Sequence, residues 1–228
     1  MKFIRNPLNE VEVEEVFKYI KPACENIKSR VIRDSKKTRT FVECPEWKEE
    51  ISYDKFLKLS SRKRILDSSE TQNKFNTDQA GLDHHLIGVH NVLRTKYKVK
   101  VDVRGQFYYP PTGFMGWHTN VNAPGERFYV TWASEANKSF FRYYDDEKDE
   151  IITDYDDKGL TIRQFTIPTG KPYFWHCVGS ECDRFSFGFM VRSDVTLDFD
   201  TYQKLINTVG KNNISNYVNK VIKNSATF

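Results

Sequence analysis

Residues 127–167, RFYVTWASEANKSFFRYYDDEKDEIITDYDDKGLTIRQFTI, decide the fold. Four short runs rich in aromatic and β-branched residues are parted by EANK, DEKD and DDKG, each suited to a turn. Working outward, VKVDVRGQFYYP (99–110) and GWHTN (116–120) precede them, and PYFWHCVG (172–179) and RFSFGFMVR (184–192) follow. APGE parts GWHTN from the central block, and PTGK and SECD separate the later runs. Eight β segments between residues 99 and 192 predict a sandwich, a barrel or a jelly roll.

The flanks read differently. NPLNEVEVEEVFKYIKPACENIKSRVI (6–32) carries acids early, then Val13, Val16, Phe17 and Ile20 at helical spacing, with Pro22 marking the helix end or a kink. SYDKFLKLSSRKRIL (52–66) suits a short helix. TDQAGLDHHLIGVHNVLRTKY (77–97) suits a longer one, with Thr77 as N-cap and Leu82, Leu86, Val89 and Leu93 on one face. The tail beyond residue 200 returns to helical spacing. The expectation is one domain over 1–228, with a mostly helical region (1–98), a β core (99–192) and C-terminal helices (193–228).

Composition agrees. Seventeen Phe, 12 Tyr and 4 Trp favour half-buried pleated surfaces, hence a mainly β fold with flanking helices. Trp117, Trp132 and Trp175 are expected in the core or around a pocket. A net charge of +4 is too small to argue for nucleic acid by itself. The basic runs at 60–66 and 94–100 read as solvated faces; they leave nucleic acid open as a partner but lack the aromatic interleaving that would support it strongly. Four cysteines form no C-x-x-C pair, and no signal-like or membrane-length apolar run occurs. A cytoplasmic protein with reduced thiols and no membrane partner is therefore expected. Oligomeric state is not legible.

Five histidines are present. His84, His85 and His90 lie on one predicted helix without the i, i+4 spacing of paired ligands, and read as packed or surface residues. His118 and His176 each follow a tryptophan near a strand end. Two imidazoles from different strands plus one oxygen ligand form the facial triad of non-haem iron, with positions left open. Strand period two puts His118 and Asn120 on one face, and Arg184 and Ser186 on one face. A guanidinium beside a hydroxyl suits a carboxylate, and a buried arginine needs an anionic partner. The alternatives are a core histidine at 176, a turn histidine at 118, and a structural ion pair of Arg184 with Asp183 or another acid. Thiolate ligation by Cys177 or Cys182, which bracket a turn, is a further alternative.

The ordered set His118-Thr119-Asn120, His176, Arg184-x-Ser186 resembles the iron(II)- and 2-oxoglutarate-dependent dioxygenase superfamily. Its pattern is H-x-D/E, a distal histidine, then R-x-S or a related basic site. YPPTGFMGWH (109–118) is similar to the segment before the first ligand in prolyl-hydroxylase-like members, where a tyrosine helps to bind 2-oxoglutarate; Tyr109 takes that place. The resemblance covers roughly residues 99–192. It implies a double-stranded β-helix, iron(II) held by His118, Asn120 and His176, and 2-oxoglutarate held by Arg184, Ser186 and Tyr109. It implies oxidation of a substrate C–H bond, usually hydroxylation, with an amino-acid side chain or a small metabolite as substrate.

Asn120 departs from the family's carboxylate. Three readings stand. Asn120 ligates through its neutral carbonyl oxygen. Alternatively it leaves the position to water, halide or a carboxylate such as Asp145 or Asp154; halogenating members carry a small residue there, which Asn is not. In the third reading the chain is a non-catalytic ligand-binding jelly roll. A cupin-like metalloenzyme would call for more histidines at the metal.

Overall fold

The computed structural model describes residues 3–38, 44–77, 83–97 and 100–192. In chain order the elements are β1 (Phe3–Arg5), α1 (Glu10–Thr38), α2 (Trp47–Glu50), α3 (Tyr53–Ser60), β2 (Gln72–Asn73), β3 (Phe75–Asn76) and α4 (Asp83–Tyr97). Eight longer strands follow: β4 (Lys100–Tyr109), β5 (Phe114–His118), β6 (Gly125–Ala133), β7 (Ser139–Asp145), β8 (Glu150–Tyr155), β9 (Gly159–Ile167), β10 (His176–Ser180) and β11 (Arg184–Arg192).

These strands form two facing antiparallel sheets. One runs β1-β9-β6-β11-β4-β3 and the other β2-β5-β10-β7-β8. The eight core strands alternate between the sheets except at the β7–β8 hairpin, which gives the double-stranded β-helix. All eight β segments read from the sequence are present. Three short strands join them at the sheet edges.

The central strands of the large sheet are covered on both faces, and their helix-facing side is the apolar one. Phe185, Phe187 and Phe189 of β11 and Phe128 and Val130 of β6 pack against α1 and α4 through Val16, Ile20, Leu86, Val89 and Leu93. Between the sheets lie Tyr109, Phe141, Phe165, Phe174 and Val178. The outer face of the smaller sheet packs Phe114, Trp117, Phe140, Trp175 and Cys177 against Trp47, Ile51, Phe56 and Leu59 of the α2–α3 region. Trp117 and Trp175 thus serve this outer core, and Trp132 packs with the helices on the opposite side.

α1 begins with a reciprocal cap: Asn9 Oδ1 accepts from the Glu12 N–H at 2.9 Å, and Glu12 Oε2 accepts from the Asn9 N–H at 2.8 Å. The helix runs on through Pro22 to Thr38, so Pro22 does not end it. Thr77 does not cap α4, which starts at Asp83. Its N–H instead donates to Gln106 O at 2.9 Å, beside the β3–β4 pairing. The helical reading of the tail, and Leu82, lie outside the described residues. Among the described residues no helix is long and apolar enough to cross a membrane.

Candidate metal and anion site

β5 and β10 are antiparallel neighbours, and His118 is directly opposite His176. The pairing is irregular just beside them. Val178 faces Met115, so two steps along β10 match three along β5. The extra residue is a β-bulge at Gly116–Trp117. It sets which way His118 points. Met115 faces the interior, and strict alternation from it would send Trp117 inward and His118 outward. With the bulge, Trp117 joins the outer core, its Nε1 donating to Ser52 O at 2.9 Å, and His118 turns inward. A Cβ on Gly116 would stand 2.7 Å from Thr71 Oγ1 and 3.0 Å from Ser69 Oγ, so any larger residue there must displace the 69–71 segment.

The two imidazoles are buried, with ring centroids 4.2 Å apart. His118 Nδ1 lies 2.9 Å from Gly116 O, and His176 Nδ1 lies 2.9 Å from Phe174 O. Each Nδ1 therefore carries the proton and donates to a carbonyl, leaving each Nε2 with a lone pair. This is the orientation that metal-binding histidines take. Burial pushes His118 down to about 4 and holds His176 well below its usual value, the latter with His118 and Arg127 adding to the effect. Both rings are neutral at pH 7, as ligation requires.

Asn120 completes this end of the barrel. β5 stops at His118, so the two-residue repeat does not carry Asn120 inward. The loop does so. Asn120 takes φ +55°, a left-handed conformation that asparagine tolerates. Its N–H donates to Asp67 O at 2.8 Å, and the Thr119 N–H and Oγ1–H both donate to Leu66 O at 2.9 Å. Asp67 Oδ1 accepts the Asn122 N–H at 2.7 Å. So held, Asn120 Nδ2 lies 3.1 Å from His176 Nε2 and donates to it. Turning the amide over would put Oδ1 in the same place, beside the lone pair of His176 Nε2.

Among the described residues no group of three or more His, Cys, Asp or Glu gathers to hold a metal ion. Asp145 and Asp154 therefore do not supply the missing carboxylate. Asp154 is committed to Arg5 and Arg163, and Asp145 lies at the β7–β8 hairpin, where Oδ1 accepts the Glu147 N–H. Cys177 and Cys182 do not join the histidines either. Cys177 faces the outer core, where burial raises its thiol, and Cys182 lies against backbone carbonyls. The side chains of His84 and His85 are outside the described set, and the His90 ring packs edge-on to Phe189.

A cavity between the sheets joins His118 and His176 to Tyr109, Tyr129, Ser186 and Arg104. A second irregularity brings Arg104 there. Gly188 faces Gly105 while Phe189 faces Val103, so Arg104 is the extra residue of β4. Arg184 is fully buried and stands opposite Tyr109, with its guanidinium carbon 5.2 Å from that ring. It does not line the cavity. Arg184 Nε donates to Asp156 Oδ2 at 2.9 Å, and Nη2 donates to Thr131 Oγ1 at 3.2 Å. Its acid partner is thus Asp156. Asp183 pairs with Lys28 and accepts from the Tyr108 hydroxyl at 2.7 Å. Asp156 also accepts from Arg163 Nη1 at 2.6 Å and from Ser139. Burial alone would raise its carboxyl, but Arg163 and Arg184 hold it well below the usual carboxylate range. One donor of Arg184, Nη1, remains buried without a partner.

Sequence reasoning missed Asp156, which reads as a turn residue in DYDDKG. Two inward-facing arginines, Arg163 and Arg184, were the available signal that an acid must lie between them.

No family model matches the chain, and no curated protein matches it. Solved structures with a related arrangement include a prolyl-4-hydroxylase from Pseudomonas putida, at 12% identity and TM-score 0.43 over 83% of this chain and 91% of that one. A prolyl hydroxylase from Trichoplax adhaerens, in complex with a hypoxia-inducible-factor peptide fragment, gives 9% and 0.44 over 83% and 82%. An oxidoreductase of the 2OG-Fe(II) oxygenase family from Burkholderia pseudomallei gives 12% and 0.32 over 50% and 54%.

Proposed function

We propose that the protein is an iron(II)- and 2-oxoglutarate-dependent oxygenase that hydroxylates an amino-acid side chain or a small metabolite. One observation carries this. Two neutral histidines on adjacent strands, each with Nδ1 tied to a carbonyl, direct their Nε2 atoms to one end of a double-stranded β-helix cavity. That donor set fits a divalent first-row metal.

His118 and His176 would hold the metal, with Asn120 as a neutral third ligand through Oδ1. Tyr109 and Ser186 would contact 2-oxoglutarate in the cavity, and Arg184, beside the Tyr109 ring, would supply the positive charge that its far carboxylate meets. When bound, the metal and cosubstrate supply the oxidising chemistry. The chain's part is to orient them, to keep both imidazoles unprotonated and, through Tyr109, Phe107 and Tyr129, to exclude water. The test is succinate formation from 2-oxoglutarate with iron(II) and ascorbate. The reading expects turnover that His176→Ala abolishes, and failure to bind either metal or 2-oxoglutarate contradicts it.

A second reading, a non-catalytic ligand-binding jelly roll, is favoured by the contact of Asn120 Nδ2 with His176 Nε2. That bond satisfies the histidine without a metal. It predicts that the native protein binds no divalent ion, whereas the oxygenase reading requires that it does.

A further inference from the structure

Arg127 sits at the other end of β6 from the Arg184–Asp156 pair. On β6, Arg127, Tyr129, Thr131 and Ala133 share the inward face; Arg184 is level with Ala133, and Arg127 is level with Met190. Six residues of strand separate those levels, about 20 Å. Arg127 belongs to the large sheet, and its charge helps to hold the His176 imidazole below its usual value. Arg127 is only 3% exposed. Nη2 donates to Ala123 O in the loop that carries Asn120, and Nη1 is buried with no partner. Tyr129, two residues along the same face of β6, and Arg104 line the cavity that holds the histidines, and among the described residues no acid pairs with Arg127 or with Arg104. Arg163 and Arg184 are equally buried, yet share Asp156. A guanidinium taken out of water without an anion is costly, and a second guanidinium nearby adds to the cost. Burial, then Arg104, weakens its hold on the proton.

We infer that Arg127, with Arg104 at the rim, receives a carboxylate of the molecule that enters the cavity beside the two histidines. The planar guanidinium fork matches two carboxylate oxygens, and the apolar walls of Tyr129 and Phe107 suit a small organic acid. The inference rests on the proposed oxygenase for the identity of its neighbours. Arg127 lies at one end of the inward face of β6 and Arg184 is level with the other, which points to the substrate as the source of this anion. The cosubstrate is the other source of the same chemistry.

Glutarate titrated into metal-free protein tests the receptor itself, read by calorimetry and by the shift in Tm. Wild type should bind it and melt higher. Arg127→Gln should weaken binding at least tenfold and abolish the shift, and Arg127→Lys should retain part of it. Circular dichroism confirms that each variant is folded. Equal binding by wild type and Arg127→Gln, no binding by wild type, or a shift with inorganic phosphate alone would overturn the inference. A second arm titrates 2-oxoglutarate into manganese-loaded protein. Unchanged affinity in Arg127→Gln assigns the carboxylate to the substrate, and a tenfold loss assigns it to the cosubstrate. Wild type that binds glutarate but neither manganese nor 2-oxoglutarate would sink the oxygenase reading and leave the receptor standing.

Discussion

His118 and His176 stand directly opposite each other on adjacent antiparallel strands, and a single extra residue in β5 is what turns the first ring towards the second. The site therefore depends on a local break in the strand pattern. Gly116→Ala should move Trp117 or the 69–71 segment, because its Cβ meets two hydroxyls and the Thr71 carbonyl. The expected result is metal affinity reduced at least tenfold, with a stability loss of about 1–3 kcal/mol typical of overpacking. Metal titration and urea denaturation of the variant check it; unchanged affinity would show that the bulge does not aim the ligand.

Asn120→Asp places a full negative charge where a neutral amide now meets His176 Nε2. If position 120 ligates, divalent metal binding should tighten tenfold or more. Calorimetric titration of manganese into both proteins measures it, and equal affinities would remove Asn120 from the ligand set.

The histidines also fix a pH response of the metal-free protein. His118 titrates at about 4 in the fold, and His176 well below its usual value, against about 6.5 in an unfolded chain. Between these values the unfolded chain binds protons that the native protein refuses. Their contribution is full above pH 6.5 and is lost as pH falls towards 4. His118 alone accounts for roughly 3 kcal/mol. The urea midpoint should drop between pH 7 and 4.5, and the drop should shrink in His118→Phe. An equal drop in the variant would contradict the assignment.

Asp156 holds two buried arginines, so Asp156→Asn should destabilise the fold by about 3–5 kcal/mol, the scale for breaking a buried pair. Chemical denaturation measures this, and a loss under about 1 kcal/mol would show that Arg163 and Arg184 find other partners.

The eight core strands were legible because each is bounded by turn residues and is long enough to show its aromatic pattern. The edge strands β1, β2 and β3 were not, since two or three residues carry no period. The histidine pair was legible as residue types at spaced positions. The route that joins Asn120 to it was not: it runs through carbonyls of Leu66 and Asp67 and a left-handed turn. Nor did the sequence tell Arg184 from Arg127. Only the fold brings Asp156 to one of them and leaves the other without an acid.

The most direct measurement is manganese titration of metal-stripped protein, followed by paramagnetic resonance. The account predicts one bound ion per chain, lost in His118→Ala and in His176→Ala while both variants remain folded. No binding by the wild-type protein, or binding that survives both substitutions, would contradict it.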